Sequence, residues 1–152
     1  MSGCHAFPHF QQSRDGYCLS ACARMVLTYL GDHLSEAEVS QALEAHDFGA
    51  PSFAIQKLST LGFHVDYREW SLPQMLELLQ AGTPLIIFVR TAFLEYWTKD
   101  VAHALVLVSA EPGQSFVVHD PALPTGPLTV SWNGLLAAWA EFGYRGAAVS
   151  SK

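Results

Sequence analysis

Cys18 is the residue of this sequence with the clearest physical reason to be reactive. Apolar residues recur at three- and four-residue spacing from position 19 to position 29, which predicts a helix that begins at Cys18. The free backbone N–H groups and the positive end of the helix dipole at that position stabilise a thiolate, the nucleophilic form of cysteine. Cys18 is therefore a candidate nucleophile. The alternative is a small buried core residue.

A histidine and an aspartate are predicted to meet at the ends of two neighbouring strands. Residues 102–109 and 116–119 are rich in Val and Leu, and the short turn at 111–114 makes them an antiparallel pair. His103 lies toward the start of the first strand and Asp120 at the end of the second. The pairing brings the carboxylate near the imidazole, as a base and its orienting residue require. Taken singly, His103 could be a core histidine and Asp120 a turn residue before Pro121.

Further polar residues are candidates for supporting or competing roles. Gln12 lies six residues before Cys18, where its amide could donate a hydrogen bond to a developing oxyanion beside the Cys18 N–H; Gln11 is an equally plain neighbour. His119 is a rival base, but strand alternation points it to the face opposite Asp120. The other histidines outside the N-terminal segment, at 33, 46 and 64, are expected to face solvent.

A metal site is the competing interpretation of the cysteines. Cys4, His5 and His9 could join Cys18 and Cys22, whose i,i+4 spacing puts them on one helix face. No second tight ligand pair with finger-like spacing follows, so we predict no metal and no other cofactor. Cys22 is then a core residue one turn inside the helix.

Helices are predicted first and strands mostly afterwards. Helical patterns cover about 18–30, 35–46, 52–61, 71–79 and 132–140, and strands are expected at 64–68, 84–89, 102–109, 116–119 and 144–149. This order predicts an α+β fold in which a helical N-terminal half, including the helix of Cys18, packs on a C-terminal antiparallel sheet.

Composition narrows the class of protein. The 152 residues, half of them hydrophobic, fit a single domain over 1–152. The net charge of −6 and the scattered basic residues argue against nucleic-acid binding. The N-terminus lacks a signal-peptide pattern, and the longest apolar runs are too short to cross a bilayer. With an odd number of cysteines and too few for a disulfide scaffold, the expected location is the reducing cytoplasm.

The motifs together resemble a known family. The stretch QSRDGYCLSACARMVL (12–27) with YLG (29–31), then HALVLV (103–108) and VHDP (118–121), are similar to segments of the bacteriocin-processing, double-glycine leader peptidases. Those enzymes are papain-like cysteine peptidases. The resemblance implies Cys18 as nucleophile, His103 as base, Asp120 as its orienter and Gln12 in the oxyanion hole.

The resemblance also implies a function and shows where this chain departs from the family. The family usually has Asp or Gly before the nucleophile and Gly after it, whereas Tyr17 and Leu19 flank Cys18 here. We expect both to contact substrate, Leu19 by narrowing the cleft, together with Trp97 from the aromatic run 93–97. The same run could instead be the edge of the core.

The expected activity is hydrolysis of a peptide bond, with a peptide or protein as substrate and leader-peptide removal as one form of it. Many relatives are the first domain of a membrane exporter, so association with an exporter is a further expectation. The alternatives are acyl transfer through the same cysteine and a catalytically idle module that only binds peptides.

Overall fold

The predicted helix at Cys18 is present and begins at that residue. In the computed structural model, which describes residues 7–47 and 49–151, helix α1 spans Cys18–Tyr29. Its buried face includes Leu19, Cys22 and Met25, as the spacing predicted. Gly31 follows the C-terminal cap of the helix, and its φ of 98° is readily adopted only by glycine.

Two further segments cover the same side of the molecule as α1. Helix α2 spans Glu36–Leu43 and carries the predicted capping box between Ser35 and Glu38. The segment Ser52–Leu61 was expected to be helical and is a 3₁₀-helix. Its apolar residues Ile55, Leu58 and Leu61 recur every third position, which suits three residues per turn.

Six strands form one antiparallel sheet. They are β1 His64–Glu69, β2 Leu85–Arg90, β3 Ala102–Glu111, β4 Ser115–His119, β5 Leu128–Ser131 and β6 Arg145–Ser150, in the spatial order β1-β6-β2-β3-β4-β5. The sequence did not predict β5, because four residues give too short a pattern to separate from a loop. The predicted hairpin between β3 and β4 is confirmed, and a β-bulge near Val108 shifts its register by one residue.

Alternation along the strands divides the core between the two faces of the sheet. Ala104 and Val106 of β3 face α1, and Leu105 and Leu107 face the opposite layer. That layer contains helices α3 (Leu72–Gln80) and α4 (Trp132–Ala140). The expected α+β class, with the Cys18 helix packed on an antiparallel sheet, is confirmed. Among the described residues, no helix is both long and apolar enough to cross a membrane.

Candidate active site

Cys18 lines a cleft, and its thiol lies among groups that favour the thiolate. The side chain is half-buried and interacts with His103. The backbone N–H groups of Leu19 and Ala104 also stabilise the thiolate. Burial alone raises the pKa of this thiol, but His103 and the two N–H groups outweigh it, and the pKa lies below its ordinary value.

His103 and Asp120 meet where the sequence predicted, at adjacent ends of β3 and β4. The Nε2 atom of His103 lies 2.7 Å from Oδ1 of Asp120, and both residues are buried. The other ring nitrogen, Nδ1, is thereby left for the Cys18 thiol. Burial lowers the pKa of His103, but the bond to Asp120 and the interaction with Cys18 raise it to about 9. The pair therefore favours a thiolate beside an imidazolium.

Every oxygen of the Asp120 carboxylate accepts hydrogen bonds. Oδ2 accepts one from the Tyr96 hydroxyl at 2.5 Å and one from Nε1 of Trp97 at 2.9 Å. Oδ1 accepts the Ala122 N–H at 2.9 Å in addition to the bond from His103. Although burial opposes ionisation of this carboxyl, these donors hold its pKa below the ordinary value. The carboxylate is charged and cannot rotate freely.

Sequence reasoning missed the part played by Tyr96. The aromatic run was a candidate for cleft wall or core edge, and periodicity carries no signal that one hydroxyl of this run reaches a carboxylate 24 residues away. Trp97 also packs on the imidazole, with its ring centroid 4.8 Å from that of His103. Tyr96 and Trp97, which follow the Thr91–Phe93 turn in the chain, thus both contact the His103–Asp120 pair.

Replacing Tyr96 with Phe is expected to weaken the hold on Asp120 without removing bulk. The pKa of Asp120 should rise, so the carboxyl becomes protonated and releases His103 at a higher pH than in the parent chain. We expect the acid limb of Cys18 alkylation by iodoacetamide to move upward by about 1 pH unit, the size of one lost charge-assisted hydrogen bond. Tyr144→Phe, at a partly exposed ring packed on Trp139, is the matched control. An acid limb that stays in place would show that Tyr96 does not support Asp120.

Gln12 lies beside the cleft in a fixed orientation. Its backbone N–H donates to the Pro121 carbonyl at 2.7 Å, and its Nε2 donates to the Arg14 carbonyl at 3.2 Å. A primary amide has two N–H bonds, so one remains for a ligand. Oε1 is buried without a hydrogen-bond partner among the described residues. Flipping the amide would set this oxygen against the Arg14 carbonyl, so the nitrogen position is fixed.

The cleft has two parts that meet at Cys18 and His103. The larger, with a volume of 480 Å³, also contains Gln12 and Trp97 in its wall. Residues with small side chains also line this part, at Gly16, Gly49, Ala50 and Ala102. The smaller hollow, of 220 Å³, is more apolar and includes Leu19, Phe88 and Phe142. A chain lying across the cleft would therefore pass directly over the thiol.

The residues predicted to contact substrate fall in different places. Trp97 lines the larger part of the cleft, and Leu19, although mostly buried, lines the smaller one. Tyr17 is not among the residues that line either part. Its hydroxyl donates to Asp47 at 2.8 Å and accepts from Arg14 at 3.1 Å. Any effect of Tyr17 on a ligand would act through the loop that contains Asp47 and Ala50.

The structure also shows where the residues of the two competing interpretations lie, the rival base His119 and the metal site. His119 lies on the sheet face opposite Asp120, where it contacts Phe7 and His9. Cys22 is fully buried, and burial raises the pKa of its thiol. Within residues 7–47 and 49–151, no cluster of His, Cys, Asp and Glu could hold a metal ion. Cys4 and His5 of the alternative metal site lie outside the described residues.

Comparisons with known proteins find matches over almost the whole chain. The family model described as "Peptidase_C39 like family" matches residues 4–147. A structure described as a C39-like peptidase from Bacillus anthracis superposes with a TM-score of 0.77 at 16% identity, over 96% of this chain and 95% of that one. No match was found among curated proteins.

Two further solved structures come from transporters. The peptidase domain of Streptococcus ComA, a bifunctional ABC transporter of a quorum-sensing pathway, gives a TM-score of 0.78 at 14% identity, over 96% and 99% of the two chains. A double-glycine-motif protease from an AMS/PCAT transporter, solved in complex with a leader peptide, gives 0.72 at 16% identity, over 95% and 91%. At these identities the likeness establishes the fold, which is papain-like as expected.

Proposed function

Because this chain belongs to the Peptidase_C39 like family, we propose that it is a cysteine peptidase that hydrolyses a peptide bond with Cys18 as nucleophile. The observation that carries the proposal is the placement of the Cys18 thiol beside His103, which is hydrogen-bonded to Asp120, with the thiol open to a cleft. A module that only binds peptides needs no such arrangement. The fixed carboxylate of Asp120 is what an orienting residue requires.

Each polar group of the site has a place in the reaction. The Cys18 thiolate attacks the carbonyl carbon, and the carbonyl oxygen takes up the displaced electron pair. Gln12 and the backbone N–H of Cys18, which has no partner within its own helix, donate hydrogen bonds to that oxyanion. His103 then protonates the departing amine, and the acyl group stays on sulfur. Finally His103 takes a proton from water as the water attacks the thioester and frees the thiol.

We propose peptides with a double-glycine leader as the substrate class. Gly49, Ala50 and Ala102 are among the residues that line the cleft with Cys18, and their small side chains leave room for an extended peptide backbone. The AMS/PCAT transporter protease, which has this fold, was solved with a leader peptide. We also propose that the chain acts in the reducing cytoplasm beside an exporter, where leader peptides would be delivered and Cys18 would stay reduced.

The thiolate–imidazolium pair can be tested without knowing the substrate. We expect iodoacetamide to alkylate Cys18 at about pH 6 at a rate within severalfold of that at about pH 8, whereas an ordinary thiol slows roughly 100-fold over this interval. Hydrolysis should follow a bell-shaped profile. Its acid limb reflects formation of the thiolate, and its alkaline limb reflects loss of the His103 proton near pH 9.

The labelled residue is identified by peptide mapping, and buried Cys22 should remain unlabelled in the folded protein. A rate at Cys18 that falls in step with an ordinary thiol would refute the peptidase proposal and favour the peptide-binding alternative. Acyl transfer uses the same thioester but ends on an amine in place of water. Product masses from a glycine-pair peptide incubated with and without added amine separate the two outcomes.

A further inference from the structure

The described chain begins with a segment that runs beside the proposed oxyanion residue and the β4–β5 loop. We call residues 7–12 the strap. The Gln12 N–H donates to the Pro121 carbonyl at 2.7 Å, and Nε2 of His9 lies 2.8 Å from the Leu123 carbonyl. Phe7 anchors the start of the strap in the core, against the rings of Tyr29 and His119.

One hydrogen bond between two histidines joins the strap to β4. Nδ1 of His9 lies 2.9 Å from Nδ1 of His119, and His119 is fully buried. A carbonyl can only accept, so Nε2 of His9 carries its proton and donates to Leu123. In neutral His9 the other nitrogen, Nδ1, is then an acceptor, and Nδ1 of His119 must donate to it.

This arrangement admits one distribution of protons. Nε2 of His119 is left as a bare acceptor, buried and without a hydrogen-bond partner in the part of the chain that the structure describes. Burial, together with the neighbouring His9, lowers the pKa of His119 to about 4, so His119 stays neutral where the site would work. A buried nitrogen without a hydrogen-bond partner costs stability, whereas the bond from Nδ1 of His119 to His9 ties β4 to the strap.

The surrounding loop is shaped around the pair. A Cβ atom at Gly126 would lie 2.5 Å from Nδ1 of His9 and 2.7 Å from Nδ1 of His119. Only glycine fits there, so the loop that follows Asp120 passes directly over the bond between the two rings.

The position of the pair in the chain indicates what it serves. His9 precedes Gln12 by three residues, and His119 directly precedes Asp120. We propose that the His9–His119 pair is a positioning element that sets the Gln12 amide relative to the Cys18–His103–Asp120 group. The inference rests on the proposed peptidase function, since it concerns the oxyanion donor of that reaction.

Two probes separate the oxyanion donor from the thiolate. Acylation of Cys18 by acetyl-glycyl-glycine p-nitrophenyl ester passes through an oxyanion and releases p-nitrophenolate, a leaving group that needs no proton. Alkylation by iodoacetamide displaces iodide and forms no oxyanion. A displaced Gln12 should therefore slow acylation and leave alkylation unchanged, whereas general damage to the site should slow both.

His119→Leu keeps the volume of the ring and removes its bond to His9, whereas the amide of His119→Asn can still donate to Nδ1 of His9. We expect Cys18 of the Leu variant to be acylated about tenfold more slowly than in the parent chain. This loss is smaller than the roughly 10²–10³-fold loss that is typical when an oxyanion donor is removed outright. Alkylation of the Leu variant should stay within about twofold of the parent, and the Asn variant should recover most of the acylation rate. Adding His119→Leu to Gln12→Ala should cause no further loss, because both changes act on one donor.

The outcomes distinguish the inference from the function beneath it. If the parent chain is acylated no faster than Cys18→Ala, the peptidase proposal itself fails. If Gln12→Ala slows acylation but His119→Leu does not, or if His119→Leu slows both reactions equally, only the positioning role is overturned. Should His119→Leu fail to fold, His9→Leu breaks the same bond from the half-buried side, and the same comparison applies.

Discussion

Cys18→Ala is expected to abolish peptide hydrolysis while leaving the fold intact. The thiolate is the only group at the site that can form the acyl intermediate, and alanine has no atom to replace it. In triad enzymes, losing the nucleophile costs about 10⁶-fold in rate, so no turnover above background should remain. The measurement is cleavage of a glycine-pair peptide, followed by mass spectrometry, alongside the thermal unfolding midpoint.

Cys22→Ala is the matched control for this substitution, since Cys22 lies one turn further along the same helix. It should retain hydrolysis, although its unfolding midpoint should fall because the thiol is fully buried in the core. The Cys18→Ala chain should still bind the uncleaved peptide, because the cleft walls are unchanged. Residual cleavage by Cys18→Ala at a rate near that of the parent chain would rule out Cys18 as the nucleophile.

His103→Gln is expected to be nearly as damaging, for two separate reasons. The glutamine amide can take the place of Nε2 and donate to Asp120, so the buried carboxylate keeps a partner and the chain should fold. No group then replaces Nδ1, so the pKa of the Cys18 thiol should return to or rise above its ordinary value. The leaving amine also loses its proton donor. Together these should lower hydrolysis by roughly 10⁴-fold or more.

The two reasons can be measured apart. In the His103→Gln variant, the rate at which iodoacetamide alkylates Cys18 reports formation of the thiolate alone. We expect this rate to be low at neutral pH and to recover above about pH 9. Hydrolysis should stay low at every pH. His64→Gln, at an exposed position on the edge strand β1, serves as the control. Fast alkylation of His103→Gln at neutral pH would mean that another group ionises the thiol.

The parts of the fold that the sequence could predict are those fixed by local pattern. The three- and four-residue spacing after Cys18 placed α1, the serines at 35 and 71 placed two helix starts, and the turn at 111–114 made β3 and β4 neighbours. The last of these is why the meeting of His103 and Asp120 could be predicted: strands joined by a short turn must pair.

Long-range pairing could not be predicted in the same way. Nothing in residues 145–150 indicates that β6 inserts between β1 and β2, because any of the sheet's edges would satisfy its alternation. The hydrogen bonds that support the candidate site are also long-range. The bond from Tyr96 to Asp120 and the bond from His9 to His119 join residues 24 and 110 positions apart, and neither leaves a periodic trace.

The interior place of β6 in the sheet determines when the Cys18 helix is fully supported during synthesis. β1 pairs only with β6, and β2 loses one of its two neighbours without it. Ala147 and Val149 of β6 also complete the apolar layer on which α1 rests. Until residues 145–150 have emerged from the ribosome, the edges of β1 and β2 that pair with β6 stay open, and α1 lacks part of the layer beneath it. The Cys18 thiol is therefore positioned only after β6 has been translated, and until then the open edges need shielding from aggregation.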